Sequence, residues 1–208
     1  MESESRWQNT PAALVLRLLA DLMVLNFLFI LCSVPVVTIG PAMSAMYAVM
    51  FQRERDAGTA TVIKSFFRAF CQNFWQAMAL GAVVAVIAAM AAVDFTYALT
   101  IQSGLYMVVG TVIALLALIL FVMGFALQSN YRSTLRRCLE NSFLMAACAP
   151  GQLLLSLAAW IVPWVLGIGV QEVLIRFGVF YLMCGFSFPV WATVKLLHPV
   201  FLKTKQEK

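Results

Sequence analysis

One histidine, His198, stands in 208 residues, and the five cysteines (Cys32, Cys71, Cys138, Cys148, Cys184) form no close pair. Zinc or copper needs about three or four nitrogen and sulfur ligands at short spacing, so no metal or other cofactor is expected. The cysteines read as small apolar packing residues. A Gly-x-Ser-x-Gly elbow, a phosphate loop, a His or Cys base-nucleophile arrangement and a paired intramembrane Asp are all absent, which argues against an enzyme. Charge is scarce as well. Only 11% of residues are charged and 63% are hydrophobic, against roughly 25% and 45–50% in a soluble domain.

What stands in place of charge is a series of runs without Asp, Glu, Lys, Arg or His. They are Leu22–Gln52 (31 residues), Ala69–Val93 (25), Phe95–Tyr131 (37), Asn141–Gln171 (31) and Phe177–Val194 (18). About 20 apolar residues make one membrane-spanning helix. The 37-residue run is too long for one span, and LTIQSG (Leu99–Gly104) is its polar punctuation. The expectation is an all-α, polytopic bundle forming a single transmembrane domain over 1–208. Its six passes fall at about 14–34, 41–54, 74–96, 105–128, 151–170 and 174–196. No run is dominated by the period-2 alternation that a membrane barrel requires.

Six passes place 13 of the 14 Lys and Arg residues on one side, leaving only Arg176 on the other with Asp94 and Glu172. Cations are retained on the cytoplasmic side of short loops, so both termini are expected there. Topology and anionic lipid then account for the net charge of +5, and no nucleic-acid partner is needed. The segment after Arg17 lacks a small-x-small cleavage site and is expected to remain as the first span.

Two basic segments have helical apolar spacing. In TATVIKSFFRAFCQNFWQA, Ile63, Phe66, Phe67, Phe70 and Phe74 recur on one side while Lys64, Ser65, Arg68 and Gln72 fall between them. In YRSTLRRCLENSFLMAACAPGQ, Leu135, Leu139, Ser142 and Phe143 share a stripe and Arg132, Arg136 and Arg137 lie elsewhere. Both read as amphipathic helices in the headgroup layer, each leading into a span. They anchor the spans or form a docking surface, whose candidate residues are Lys64, Arg68, Asn73, Arg132, Arg136, Arg137 and Asn141. In the third span Ala77, Gly81, Ala85 and Ala89 recur every fourth residue, a spacing that lets helices approach closely, within the chain or in a homodimer.

The stretch SVPVVTIGPA, Ser33 to Ala42, puts two prolines and a glycine inside an apolar run. Pro35 should end the first helix. Gly40 reads as an N-cap and Pro41 as the first residue of a short second helix, where its missing N–H costs nothing. Irregular backbone at membrane depth must be covered by protein or line a wet cavity. Ser33, Pro35, Thr38, Gly40 and Pro41 are therefore either a buried turn or a polar pocket of the kind that broken transporter helices make. Asp21 is expected to pair with Arg17, one turn away. Pro163 and Pro189 are expected to kink the fifth and sixth spans.

The order NFLFILCSVPVVTIGPAMSAMY followed by SFFRAFCQNFWQA resembles the YesL family of bacterial integral membrane proteins. The resemblance rests on Pro35 to Ala42, Tyr47, Phe66, Phe67, Phe70, Asn73 and Phe74, with Asn141 at a second amphipathic position; Val34 replaces the commoner Leu. It implies a multi-pass protein of the bacterial inner membrane whose activity is not settled. Members are often encoded beside carbohydrate ABC-transporter permeases, which implies an accessory or scaffold role in carbohydrate uptake with a sugar permease as partner. Glu140-Asn141-Ser142 does not supply the Glu-Ala-Ala loop of a permease itself. A small transporter or channel with its pocket at the Pro35–Pro41 turn is the alternative.

Overall fold

The computed structural model describes residues 11–55, 61–130, 134–169 and 183–206. Every regular element among them is helical. The order is α1 (Pro11–Cys32), a 3-10 turn (Val36–Thr38), α2 (Ile39–Arg55), α3 (Val62–Gln72), α4 (Phe74–Ile101) and α5 (Gly104–Ile119). A π-helical turn (Leu120–Gly124) leads into α6 (Phe125–Asn130), followed by α7 (Leu135–Cys148), α8 (Pro150–Gly169) and α9 (Ser187–Gln206). Three stretches, Ala12–Cys32, Phe74–Ile101 and Gly104–Asn130, are long and apolar enough to cross a membrane. A fourth is reached if Leu135–Cys148 and Pro150–Val162, bent by 104° at their junction, count as one. This is the make-up of a helical membrane protein.

The centre of the bundle is α2. Gly40 through Tyr47 are all buried, as are Val49, Met50 and Phe51. Seventeen residues span only about 26 Å at 1.5 Å per residue, so α2 is shorter than α1, α4 and α9, which pack against it. Small residues make that possible. A Cβ on Gly40 would overlap the Ala77 carbonyl oxygen of α4 and lie 3.3 Å from the Gly81 Cα. Backbones in such contact gain dispersion along their length, which is what drives helix association in lipid.

Several boundaries differ from expectation for identifiable reasons. The 3-10 turn carries straight into α2, so Gly40 is a helical residue rather than an N-cap, and Pro41 is third in the helix. Within the first turn its missing N–H still has no intrahelical partner to lose. The α4 helix runs five residues past 96, to Ile101. Thr96 and Thr100 turn their hydroxyls back onto the Val93 and Thr96 carbonyls (2.7 and 2.8 Å), so polar side chains do not force an end. The helix stops at Gln102, whose φ of 53° is left-handed.

The first part of the sixth expected span, 174–182, lies outside the described residues. In the described part the helix breaks at Gly185–Phe186 and α9 restarts at Ser187. Pro189 therefore sits in a first turn rather than at a mid-helix kink. The N–H of Phe186 exposed by the break is taken by the Oδ1 of Asn26, fully buried in α1, at 3.0 Å. Asp21 pairs with Arg53 of α2 rather than with Arg17, which ties the middle of α1 to the basic end of α2. On α7 the inward stripe is Cys138, Ser142 and Ala146, while Phe143 is 40% exposed. The Cys138 thiol donates to the Gly124 carbonyl at the end of the π-turn, at 3.5 Å.

Candidate functional site at the basic end of the bundle

Around α3, at about 100° per residue, four sectors follow from the sequence. Val62, Phe66 and Phe70 form one; Phe66 is fully buried and seats the helix on the bundle. Ile63 and Phe67 come next and are 53% and 44% exposed. Cys71 and Lys64 follow, both exposed. Ser65, Arg68, Ala69 and Gln72 complete the circle at i, i+3, i+4 and i+7, and all four line one cavity.

That cavity, of about 340 Å³, lies between this stripe and Ala48, Gln52 and Arg55 of α2, with Asn73 and Ser129 closing its ends. Arg55 is held in place: its Nε donates to the Phe51 carbonyl (3.2 Å) and an Nη2 donates to the Oδ1 of Asn130 (2.8 Å). Arg68 makes no hydrogen bond or ion pair among the described residues. Asn73 is the joint between α3 and α4; its N–H donates to the Ala69 carbonyl at 3.1 Å and its carbonyl accepts from the Ala77 N–H at 2.9 Å. Beside the cavity, buried Gln128 donates to Gln76 across α6 and α4 (2.8 Å). Two guanidiniums, three amides and two hydroxyls thus meet with no carboxylate among the lining residues. The arrangement suits a small anion rather than a cation or an apolar ligand.

Of the docking candidates, Arg68 and Asn73 come together here, and Lys64 lies outside on the same helix. On α7, Arg136, Arg137 and Asn141 are exposed, and Arg136 is paired with Glu140 at 2.9 Å. Arg132 lies outside the described residues. The two groups are linked along the chain by Asn130, the partner of Arg55, which stands five residues before α7 begins at Leu135.

The turn candidates are arranged differently. Val34, Val36 and Val37 are 76%, 77% and 66% exposed, and Pro35 is exposed beside them. The Thr38 hydroxyl is used within the turn, 2.5 Å from the Cys32 carbonyl and 2.6 Å from that of Pro35. The Ser33 hydroxyl is buried without a partner among the described residues. Gly40 and Pro41 belong to the packed start of α2. These five residues form a surface turn leading into a core helix, and they do not converge on a shared polar space.

Arg55, Gln52 and Ser129 were not singled out from the sequence; Gln52 and Arg55 stand four and seven residues after Ala48, on one side of α2. A second polar group lies deep in the bundle. The Tyr47 hydroxyl faces Trp160 of α8 and Thr193 of α9, all three buried, and none of the three closes a hydrogen bond among the described residues. Nothing local in the sequence joins those three positions.

Residues 22–95 match the model of a family described as a protein of unknown function, DUF624. The match takes in the turn, all of α2 and α3, and most of α4. Every lining residue of the basic cavity except Ser129 falls inside it. No curated protein and no solved structure matches the chain.

Proposed function

We propose that this chain is a YesL-type membrane protein of the bacterial inner membrane that serves as an accessory or scaffold component in carbohydrate uptake. Its spans bring both termini and the basic end of the bundle to the cytoplasm, where the two amphipathic helices dock a sugar ABC-transporter permease. The observation that carries the reading is the seating of α3. Phe66 is buried in the bundle while Lys64 and Arg68 are exposed, and α7 turns Arg137 and Asn141 outward at the same end. A basic, helix-borne surface fixed to a rigid bundle is suited to holding a partner, since little side-chain-bearing backbone must be ordered on contact. The match over residues 22–95 supports the family reading, because the residues that carry the resemblance up to Phe74 lie within it.

The test is purification of the full chain from its host membrane in mild detergent. Stoichiometric recovery of a carbohydrate ABC permease, reduced about tenfold or more by the pair Arg136→Glu and Arg137→Glu, is expected, as charge reversal at a contact costs at least about 1.4 kcal/mol. A chain that purifies alone and whose melting temperature rises with added sugar would replace this reading with transport.

A further inference from the structure

Permease docking leaves the deep polar group of Tyr47, Trp160 and Thr193 without a role. The three come from different helices, α2, α8 and α9, and all are buried in the core. Tyr47 and Thr193 are wholly enclosed, and Val190 and Val194 beside Thr193 on α9 are enclosed with it. The Trp160 indole is clamped edge-on to Phe121, with ring centroids 4.9 Å apart at 79°, and Phe121 is set in turn against Phe125 at 5.8 Å. That clamp fixes the direction of the indole N–H. Thr193 is stiff at χ1 because its side chain is branched. The Tyr47 hydroxyl faces both groups, yet no pair among the three closes a hydrogen bond. One turn before Tyr47, the Ser44 hydroxyl is also buried with no partner among the described residues.

An unsatisfied donor in an apolar core carries a desolvation penalty, and lipid around the bundle offers nothing to relieve it. The chemistry of the three groups selects what would satisfy them. The indole N–H only donates, whereas the two hydroxyls donate or accept, so the occupant accepts from Trp160 and has donors to spare for Tyr47 and Thr193. The buried polar residues among those described are all neutral, so an ion there would be an uncompensated charge. The flanking side chains belong to one contiguous apolar core, which leaves a place for a small molecule only. We propose that the junction of α2, α8 and α9 is a binding site for an internal water molecule, which accepts from the Trp160 indole N–H and bonds to the Tyr47 and Thr193 hydroxyls. About three hydrogen bonds to otherwise unsatisfied groups is the usual set for a buried water. Such a water joins three helices at one polar point, where apolar contacts alone fix no register. The site lies apart from the basic cavity and needs no protein partner, so it is independent of the docking reading.

The experiment is X-ray radiolytic labelling of the purified full chain in mild detergent. Short pulses split water into hydroxyl radicals that react close to where they form, so a buried side chain is oxidised quickly only when a water is bound beside it. Mass spectrometry reads the rate at each residue, scaled by the intrinsic reactivity of its side chain. Tyr47 and Trp160 should be oxidised about fivefold or more faster than Phe51 and Phe125, which are buried in the same core. Thr193→Val keeps the shape and removes the hydroxyl, and should lower the Tyr47 rate about threefold or more; Thr193→Ser, which keeps the hydroxyl, should hold the rate near wild type. Rates at Tyr47 and Trp160 no higher than those at Phe51 and Phe125 would mean that the three groups pair directly in a dry core, and would overturn the proposal. Raised rates at all four aromatics would mark general entry of solvent and overturn it too. So would a Tyr47 rate that Thr193→Val leaves unchanged, or that Thr193→Ser lowers as far as Thr193→Val does. The comparison within the wild-type chain decides the matter even where Thr193→Val fails to fold.

Discussion

The two halves of α4 carry the same small-residue spacing and meet opposite surroundings. Ala77 is fully buried and Gly81 lies against the backbone of Gly40, while Ala85 and Ala89, continuing the same stripe, are exposed. The neighbouring Ala88 and Ala92 are exposed too, and with Ala91, Ala114 and Ala117 they line an apolar groove of about 400 Å³ between α4 and α5. The difference comes from length. At 28 residues α4 extends about 42 Å, well beyond the reach of the 17-residue α2. A small-residue stripe therefore records where close approach is permitted; the length of the partner helix decides where it happens.

Substitutions along the stripe sharpen that comparison. The largest loss is expected for Gly40→Val, because the added Cβ meets a backbone carbonyl that cannot move without displacing α4. A cost of about 2–3 kcal/mol, or roughly 5–10 °C in melting temperature in detergent, follows from overpacking. Gly40 is helical, so the cost arises from contact and not from backbone strain. Gly81→Leu presses on the same interface from the other side, where a Cβ would stand 3.2 Å from the Gly40 Cα. It should lower stability by roughly 1–3 kcal/mol in the same assay.

Thr38→Val removes one hydroxyl from a surface turn and should cost about 0.5–1.5 kcal/mol. Carbohydrate-dependent growth should stay at wild-type level, and its loss with the fold intact would restore the turn as a functional pocket. Ala89→Leu, on the exposed half of α4, should change melting by less than about 0.5 kcal/mol. If Ala89→Leu were as damaging as Gly81→Leu, the open half would be covered by another copy of the chain.

Much of this was legible from local pattern, because local pattern is set by backbone chemistry. Pro35 and the Gly40–Pro41 pair marked the break between α1 and α2, and the Phe66/Phe70 spacing marked an amphipathic helix that the structure places at Val62–Gln72. The misreadings were of two kinds. Some were misplaced boundaries: the run does split within LTIQSG, at Gln102–Ser103, but threonine hydroxyls that bond back to the helix carry α4 on to Ile101. The others depended on contacts distant in sequence. Asp21 had two possible cations, and only the packing of α1 on α2 selects Arg53 over Arg17. Phe143 fitted an apolar stripe, yet the π-turn at Leu120–Gly124 draws Cys138 and Ser142 inward instead. The basic cavity belongs to the second kind, since Gln52, Arg68 and Ser129 become neighbours only once α2, α3 and α6 are assembled.

The account stands on Gly104–Asn130 as a membrane pass that brings the Arg55–Asn130 end of the bundle to the cytoplasm. Paired reporter fusions test it directly, one ending after Gln102 and the other after Gln128. The proposed topology predicts an external signal at Gln102 and a cytoplasmic one at Gln128. Signals from the same side, or in the reverse order, would contradict it.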